Sequence, residues 1–529
     1  MDKKTPLKSE QTDQSPYLAI LLSLLAVLFL ALFFILRYRG MWGEQDTATF
    51  TRAIYAMVKS GRLVPDQQAY PNGYGFQALT VFLIQISGVN LTDLQIFGSA
   101  LMAIWIVLPA WLLYREFTGS NRGAAFATII LLVQPEFLFP ILRGTHEKFS
   151  RGLMFLCLYM LLRSMRCQHR SNRLAGFVAS FYLLSYALIT FNNLIFTSFV
   201  ASLILGFLLG WVISWLKKDL AQKMHYLQSH LVFTTLLLSI LAFIFTFYIY
   251  SPAQSQLRVF ENIWDRMALL FLQLGESTSN PYAVVQRTWV SLPVYFLVSL
   301  ANWLLLVFSM FIWLRQIYLW LRNQYLPVPN ELLLWIFYCS FTILGVTSIV
   351  IDISGAIAAN LQHRIFPSFA MLAAPIVGKW LADGYSNSKS PARFANPIVL
   401  ILLAALALLS PLKAINDPIV SNQWIFYLPS EMQAIYWSEG ALAGSRLWAG
   451  FDHRLSSAFI MKTGADPSGI GMDDFSLDKD VRNLLISEVI SVRSKRLSQP
   501  LPLEADSLTI YDNGQAQIYH LRPKTPFQR

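Results

Sequence analysis

Charge is scarce in this chain of 529 residues: only 13% are Asp, Glu, Lys or Arg, against about a quarter in soluble globular proteins. An ordinary water-exposed surface is thereby excluded. Cysteine is nearly missing, and the three present (Cys157, Cys167 and Cys339) make no CxxC zinc pattern and no disulfide framework. The sequence also lacks HExxH, GxSxG, a P-loop and any GxGxxG in a supporting context, so it offers none of the usual local signatures of hydrolases or nucleotide enzymes. Acids are fewer than bases, leaving a net charge of +11. A nucleic-acid partner would need those cations gathered on a soluble face, whereas most lie between apolar blocks. Nucleic acid is therefore not an expected partner.

What the chain has in abundance is apolar length. Hydrophobic residues make up 55% of it and aromatics 14%, in blocks long enough to cross a bilayer. Tyr17 to Leu36 is the first, a signal-anchor with no small-residue cleavage site before Arg37. Further spans are expected at Leu94–Tyr114, Gly123–Leu142, Gly152–Leu162, Leu174–Ile189, Leu194–Leu216, Leu231–Tyr250, Leu292–Leu314, Leu332–Ile351, Ile365–Leu381 and Pro397–Leu412. The total is about eleven spans.

Topology turns on one shorter block, Phe76–Val89, which holds Gln77, Gln85 and Gly88. If it does not cross, the basic loops around Arg163, Arg166, Arg170 and Arg173, and around Lys217, Lys218 and Lys223, fall in the cytoplasm. It is therefore read as an interfacial or partly re-entrant helix inside a long first external loop, 40–93. Residues 1–16 then form a cytoplasmic tail, 17–412 the membrane domain, and 413–529 an external domain. Trp424, Tyr427, Tyr436, Trp437, Trp448 and Phe451 supply that last domain with core material. Leu508–Tyr511 and Ala516–Leu521 read as strands around Asn513-Gly514, a type I′ hairpin signal. Asp480–Ser491 carries apolar residues at helical spacing. The expected fold is thus an all-α polytopic membrane protein with a small external α/β domain.

Ionisable groups beside hydrocarbon are costly, so those near the external face are the informative ones. Glu44 and Asp46 follow the first span; Asp46 is also placed to be the N-cap of a helix over Thr47–Lys59. Arg143, His146, Glu147 and Arg151 follow next. Their plain structural reading is an i, i+4 ion-pair stripe, and their functional one is a carboxylate facing the first pair across a cavity. Gln362-His363-Arg364 opens a late span, either as a headgroup anchor or as a phosphate grip. Gly275-Glu276-Ser277-Thr278 is a candidate mobile segment, with Glu276 its acid. Asn192 and Asn193 read as turn residues.

The order of these features resembles the GT-C class of integral-membrane glycosyltransferases, which includes oligosaccharyltransferase catalytic subunits and protein O-mannosyltransferases. Glu44-Gln45-Asp46 matches the ExD form of that class's first-loop acidic motif. Tyr70-Pro71-Asn72-Gly73, the stretch from Pro135 to Glu147, and Gln362-His363-Arg364-Ile365-Phe366 with Pro375 look like further class landmarks. The tail's Tyr511-Asp512-Asn513-Gly514 and Ile518-Tyr519 resemble a closing hairpin of bacterial and archaeal members. The Trp-Trp-Asp-x-Gly signature of oligosaccharyltransferases is absent, and Phe149 stands where those enzymes often have a second acid.

The resemblance implies transfer of a sugar from a polyprenyl-phosphate donor to a glycan, lipid or protein acceptor. It places that step at the external face of the cytoplasmic (inner) membrane, with inversion. Asp46, with Glu44 assisting, is the implied general base. Glu147 and His146 would hold the acceptor or a cation, and Arg364 with His363 the donor phosphate. A divalent cation, Mg2+ or Mn2+, on Asp46 and Glu147 is left open as a cofactor. The alternative is a non-catalytic flippase, transporter or assembly protein of lipid-linked glycans. Such a protein should carry polar or broken helices at mid-membrane, often as inverted repeats, whereas the notable acids here sit at the boundary. A polysaccharide ligase or polymerase is a third reading.

Overall fold

About twenty residues at 1.5 Å each reach across the hydrocarbon core of a bilayer. In the computed structural model, eight helices among the described residues are long and apolar enough to do so: Ile20–Tyr38, Leu91–Thr118, Asn172–Phe191, Asn193–Trp215, His230–Ile249, Leu300–Leu321, Pro329–Ile353 and Leu361–Gly384. The structure describes residues 16–64, 70–166, 171–216, 221–255, 257, 261–265, 291–325, 327–353, 361–386, 392–417, 420, 425–442, 446–448, 453–463, 471–473, 481–497, 503 and 507–521. The chain is a multi-pass membrane protein.

Three of the expected spans differ from the simple picture. Gly123–Leu142 is two helices, Asn121–Leu132 and Pro135–Leu142, bent by 76°. Pro135 is the cause: it has no N–H to continue the ladder, and it holds Gln134 extended (φ −82°, ψ 112°). Glu147–Arg166 is continuous, but its ends carry Glu147, Lys148, Arg151, Arg163 and Arg166, which leaves only the middle apolar. Leu292–Leu314 is likewise two helices, Leu292–Val298 and Leu300–Leu321, whereas Pro397–Leu412 lies within the single helix Ala392–Ala414.

The helix Leu361–Ser386 forms the centre of the bundle, packed against Asn121–Leu132, Pro329–Ile353 and Leu300–Leu321. Ala370 through Ala374 on it are fully buried. The first loop contains two further helices. Gln45–Ser60 buries Phe50, Ala53, Ile54 and Met57 on one face, and Gly75–Ser87 buries Phe76, Gln77 and Thr80 while exposing Phe82 and Ile86. At 13 residues the second reaches about 20 Å, short of a crossing.

The C-terminal segment folds around a five-stranded sheet of order β2-β1-β3-β5-β4. The strands are β1 (Arg446–Trp448), β2 (Gly471–Asp473), β3 (Val481–Ser487), β4 (Leu508–Asp512) and β5 (Ala516–His520). β1 runs parallel to β2 and β3, and β5 is antiparallel to β3 and β4. Two local expectations are corrected. Asp480–Ser491 is not helical throughout, because Val481–Ser487 is the central strand and the helix begins at Glu488. A central strand is covered on both faces, so Leu484, Leu485 and Ile486 are all buried and no alternation shows. The hairpin at Asn513-Gly514 forms, but only Gly514 of the pair has positive φ (+86°), so the turn is not type I′. Tyr427 is buried in this domain's core and Trp437 packs on Tyr511, while Tyr436 is exposed. Trp424 and Phe451 lie outside the described residues, as does the Trp448 side chain.

This domain is tied to the start of the first loop. Gly43 N donates to Ile425 O at 2.6 Å and Tyr427 N to Met41 O at 3.1 Å, a short bridge centred on Trp42 and Phe426. Arg37 pairs with Asp417 at 2.8 Å. A buried pair, Arg454 Nη2 to Glu431 Oε1 at 3.0 Å, fixes the helix His453–Thr463 beside that bridge. Gly43 is required there, because a Cβ would sit 2.7 Å from Ala458 N.

Candidate functional site

Glu44, rather than Asp46, caps the helix Gln45–Ser60. Its extended backbone (φ −148°, ψ 140°) turns its carboxylate onto the free N–H groups, accepting from Asp46 N at 3.2 Å and Thr47 N at 3.0 Å. Thr47 Oγ1 donates to it as well, at 2.8 Å. Asp46 is therefore released from capping and sits in the first turn, its side chain 53% exposed. Burial pushes the Glu44 carboxyl above its usual range, with the Arg143 charge opposing it.

Arg143 arrives from the bent helix Pro135–Leu142, and its guanidinium joins the two acids. Nη1 donates to Glu44 Oε1 and lies 3.3 Å from Asp46 Oδ2. The guanidinium rests on the Phe139 ring, 4.0 Å from its centroid, one helical turn back. Burial disfavours the Arg143 charge, but the Glu44, Asp46 and Glu147 carboxylates outweigh that and hold it on. Gly144 lets the loop come this close: a Cβ there would lie 2.6 Å from Thr47 Cγ2 on the capped helix.

The expected ladder of Arg143, Glu147 and Arg151 is only half present. Arg143 precedes the helix with extended backbone (φ −70°, ψ 166°), so the i, i+4 pair is Glu147 Oε2 with Arg151 Nε at 3.3 Å. Arg151 is almost wholly buried and reaches further. Its Nη1 donates to Ser368 Oγ and its Nη2 to Arg364 O at 3.1 Å. One guanidinium thus ties the Glu147 carboxylate to the helix turn that carries Arg364. The Arg364 side chain is exposed and within electrostatic reach of Glu147 and Tyr70. Asp352, buried at the end of the preceding helix, accepts from Leu361 N at 2.8 Å and Gln362 N at 3.0 Å. That fixes the first turn of the Arg364 helix.

His146 is buried against Phe50 and Tyr70, with ring centroids 4.9 and 5.7 Å away. Asn192 Oδ1 accepts from Ile195 N at 3.1 Å, which leaves Asn192 Nδ2 to donate to His146 Nε2. Its proton therefore sits on Nδ1. Burial lowers the imidazole to about 4, so it is neutral at physiological pH. Asn192 is a helix-capping turn residue, as expected, and also a strut for this loop.

His363 is turned away from this cluster. Its Nδ1 is 3.6 Å from Glu136 Oε2, at the opposite end of the Pro135–Leu142 helix from Arg143. Glu276 lies outside the described residues.

Two further groups belong to the site: Lys148, which the sequence did not single out, and Tyr70, which it marked only as a landmark. Lys148 is fully buried, and its Nζ donates to Ser99 Oγ and Arg143 O at 2.6 Å each and to Thr145 O at 3.1 Å, cinching the loop that presents Arg143. Tyr70 lies on Phe50 (4.5 Å) with its hydroxyl accepting from Asn72 Nδ2 at 3.0 Å, near Asp46 and Glu147. Lys148 and Arg151 lie five and eight residues past Arg143, and nothing in the sequence around them signals their burial.

The residues do not fit a divalent cation well. Asp46 and Glu147 each face a guanidinium, His146 Nε2 is occupied, and no cluster of three His, Cys, Asp or Glu side chains suited to a metal occurs among the described residues.

The helical bundle, with its long first loop and its C-terminal domain, is a fold shared with solved structures of membrane glycosyltransferases. No family model matches the chain, and no curated protein matches it by sequence. Solved structures similar to it include an oligosaccharyltransferase from Archaeoglobus fulgidus tethered to an acceptor peptide. That match has 12% identity and a TM-score of 0.59, over 97% of this chain and 75% of that one. ArnT from Cupriavidus metallidurans, bound to undecaprenyl phosphate, is similar at 12% identity and a TM-score of 0.50, over 94% of this chain and 97% of that one. At such identities the likeness is one of fold.

Proposed function

We propose that the chain transfers a sugar from a polyprenyl-phosphate donor to an acceptor at the external face of the cytoplasmic membrane. The observation that carries this reading is the pairing of functions across the site. Arg143 holds Glu44 beside an exposed Asp46, and Arg151 links Glu147 to the turn bearing an exposed Arg364. Support also comes from the similar structures, which hold undecaprenyl phosphate in one case and an acceptor peptide in another.

A polyprenyl-linked sugar stays in the bilayer, so its transferase must work at the membrane surface. Asp46 takes the proton of the acceptor hydroxyl, whose oxygen attacks the anomeric carbon from the side opposite the phosphate. The bond to the phosphate oxygen breaks, the configuration inverts, and the lipid phosphate leaves toward Arg364, whose planar fork suits it. Glu147, fixed by Arg151, orients the acceptor. Glu44 acts through position, because its oxygens are engaged by the helix cap and by Arg143. The test is incubation of purified protein with labelled polyprenyl-phosphate hexoses and pentoses. Acceptor-dependent release of lipid phosphate is expected, and no release from any donor across a panel of acceptors would count against the reading.

A further inference from the structure

We infer that Arg143 occupies the place and does the electrostatic work of a divalent cation, so that the site functions without a metal. The inference rests on the transferase reading for its chemistry and on geometry for the cation. A carboxylate has about four lone-pair positions. In Glu44 all are engaged: Oε1 accepts from Arg143 Nη1 and Asp46 N, and Oε2 from Thr47 N and Thr47 Oγ1. No position remains for a metal. The acid that a cation would share with Glu44 is Asp46, and the same Arg143 nitrogen already lies 3.3 Å from it.

Charge leads to the same conclusion. Three carboxylates (Glu44, Asp46 and Glu147) meet three guanidinium groups (Arg143, Arg151 and Arg364), so the cluster is balanced before the buried Lys148 is counted. A divalent ion would leave an excess of positive charge beside hydrocarbon, which is costly. A guanidinium also stays protonated at any physiological pH and is less strongly hydrated than an ammonium. Arg143 is held from three sides: its guanidinium by the Phe139 ring and by Glu44, and its backbone by the carbonyl, which accepts from Ser99 Oγ at 3.0 Å and Lys148 Nζ at 2.6 Å. Arg143 is thus a positioning residue that keeps the Asp46 carboxylate aimed at the acceptor.

The experiment is a Mn2+ titration of the purified full-length chain followed by electron paramagnetic resonance, alongside transfer assays with and without chelator. The expected result is no stoichiometric protein-bound Mn2+ and transfer unchanged by chelation. Arg143→Lys should retain more transfer than Arg143→Met, because a cation is kept, and neither should be restored by Mg2+ or Mn2+. One Mn2+ bound per chain and released in Asp46→Asn would overturn the inference, as would chelator-sensitive transfer. The Mn2+ measurement needs no turnover, so a failure of the transferase reading leaves it standing as a separate result.

Discussion

His146 shows how a neutral side chain becomes part of a charged site. Its burial beside Phe50 and Tyr70, with Nε2 taken by Asn192, lowers its pKa from the usual 6.5 to about 4. An unfolded chain takes up that proton near pH 6.5, whereas the folded loop resists until about pH 4. Folding stability is therefore complete above the unfolded value and declines as pH falls between the two, by roughly 3 kcal/mol at most. Thermal unfolding in detergent from pH 7 to pH 4.5 should show this slope, and His146→Gln should flatten it. Identical slopes for the two proteins would mean the imidazole is not held neutral. Glu44 and Asp46 could be singled out in the sequence because they are two residues apart and follow a span directly. Which acid caps and which is exposed was not legible, since the choice depends on Arg143, brought in from 99 residues away.

The helices that carry the site were mostly legible as apolar blocks, and their departures from regularity were less so. Pro135 marked a landmark in the sequence, yet the 76° bend it produces is what points Arg143 at the acids. Arg151 read as part of an ion-pair stripe, and Lys148 was not singled out; tertiary packing buries both, because the Ser99 and Ser368 hydroxyls and the backbone carbonyls of Arg143, Thr145 and Arg364 accept from them. In the same way β3 looked helical because a strand covered on both faces loses its alternation. Arg151 carries the consequence for function. Arg151→Lys keeps a charge for Glu147 but lacks the fork that also reaches Ser368 and Arg364 O, so Arg364 loses its anchor. The apparent KM for the donor is expected to rise by about tenfold with the chain still folded, a loss on the scale of one charge-assisted hydrogen bond. An unchanged donor KM would show that Arg151 does not position Arg364.

Across the whole molecule, the C-terminal domain is joined to the start of the first loop beside the site. The C-terminal domain pairs Ile425 and Tyr427 with Met41 and Gly43, directly before Glu44, and the helix His453–Thr463 leaves room at Gly43 for a hydrogen only. Gly43→Ala would drive a methyl group into the backbone at Ala458, at a cost of about 1–3 kcal/mol. The tail should become more sensitive to protease and the transfer rate should fall together with it. Unaltered proteolysis would show that the domain is not anchored through this contact. The scarcity of charge that marks the chain as a membrane protein also makes the few acids beside its spans easy to follow, and Glu44, Asp46 and Glu147 converge where the first loop, the bent helix and the arginine-led helix meet.

Asp46 is the proposed base for sugar transfer, and a comparison of wild type with Asp46→Asn, in membranes given the productive polyprenyl-phosphate donor, tests that role. The amide keeps the shape and cannot accept the proton, so kcat is expected to fall by about a hundredfold or more with donor KM little changed. Full transfer by Asp46→Asn would exclude Asp46 as the base.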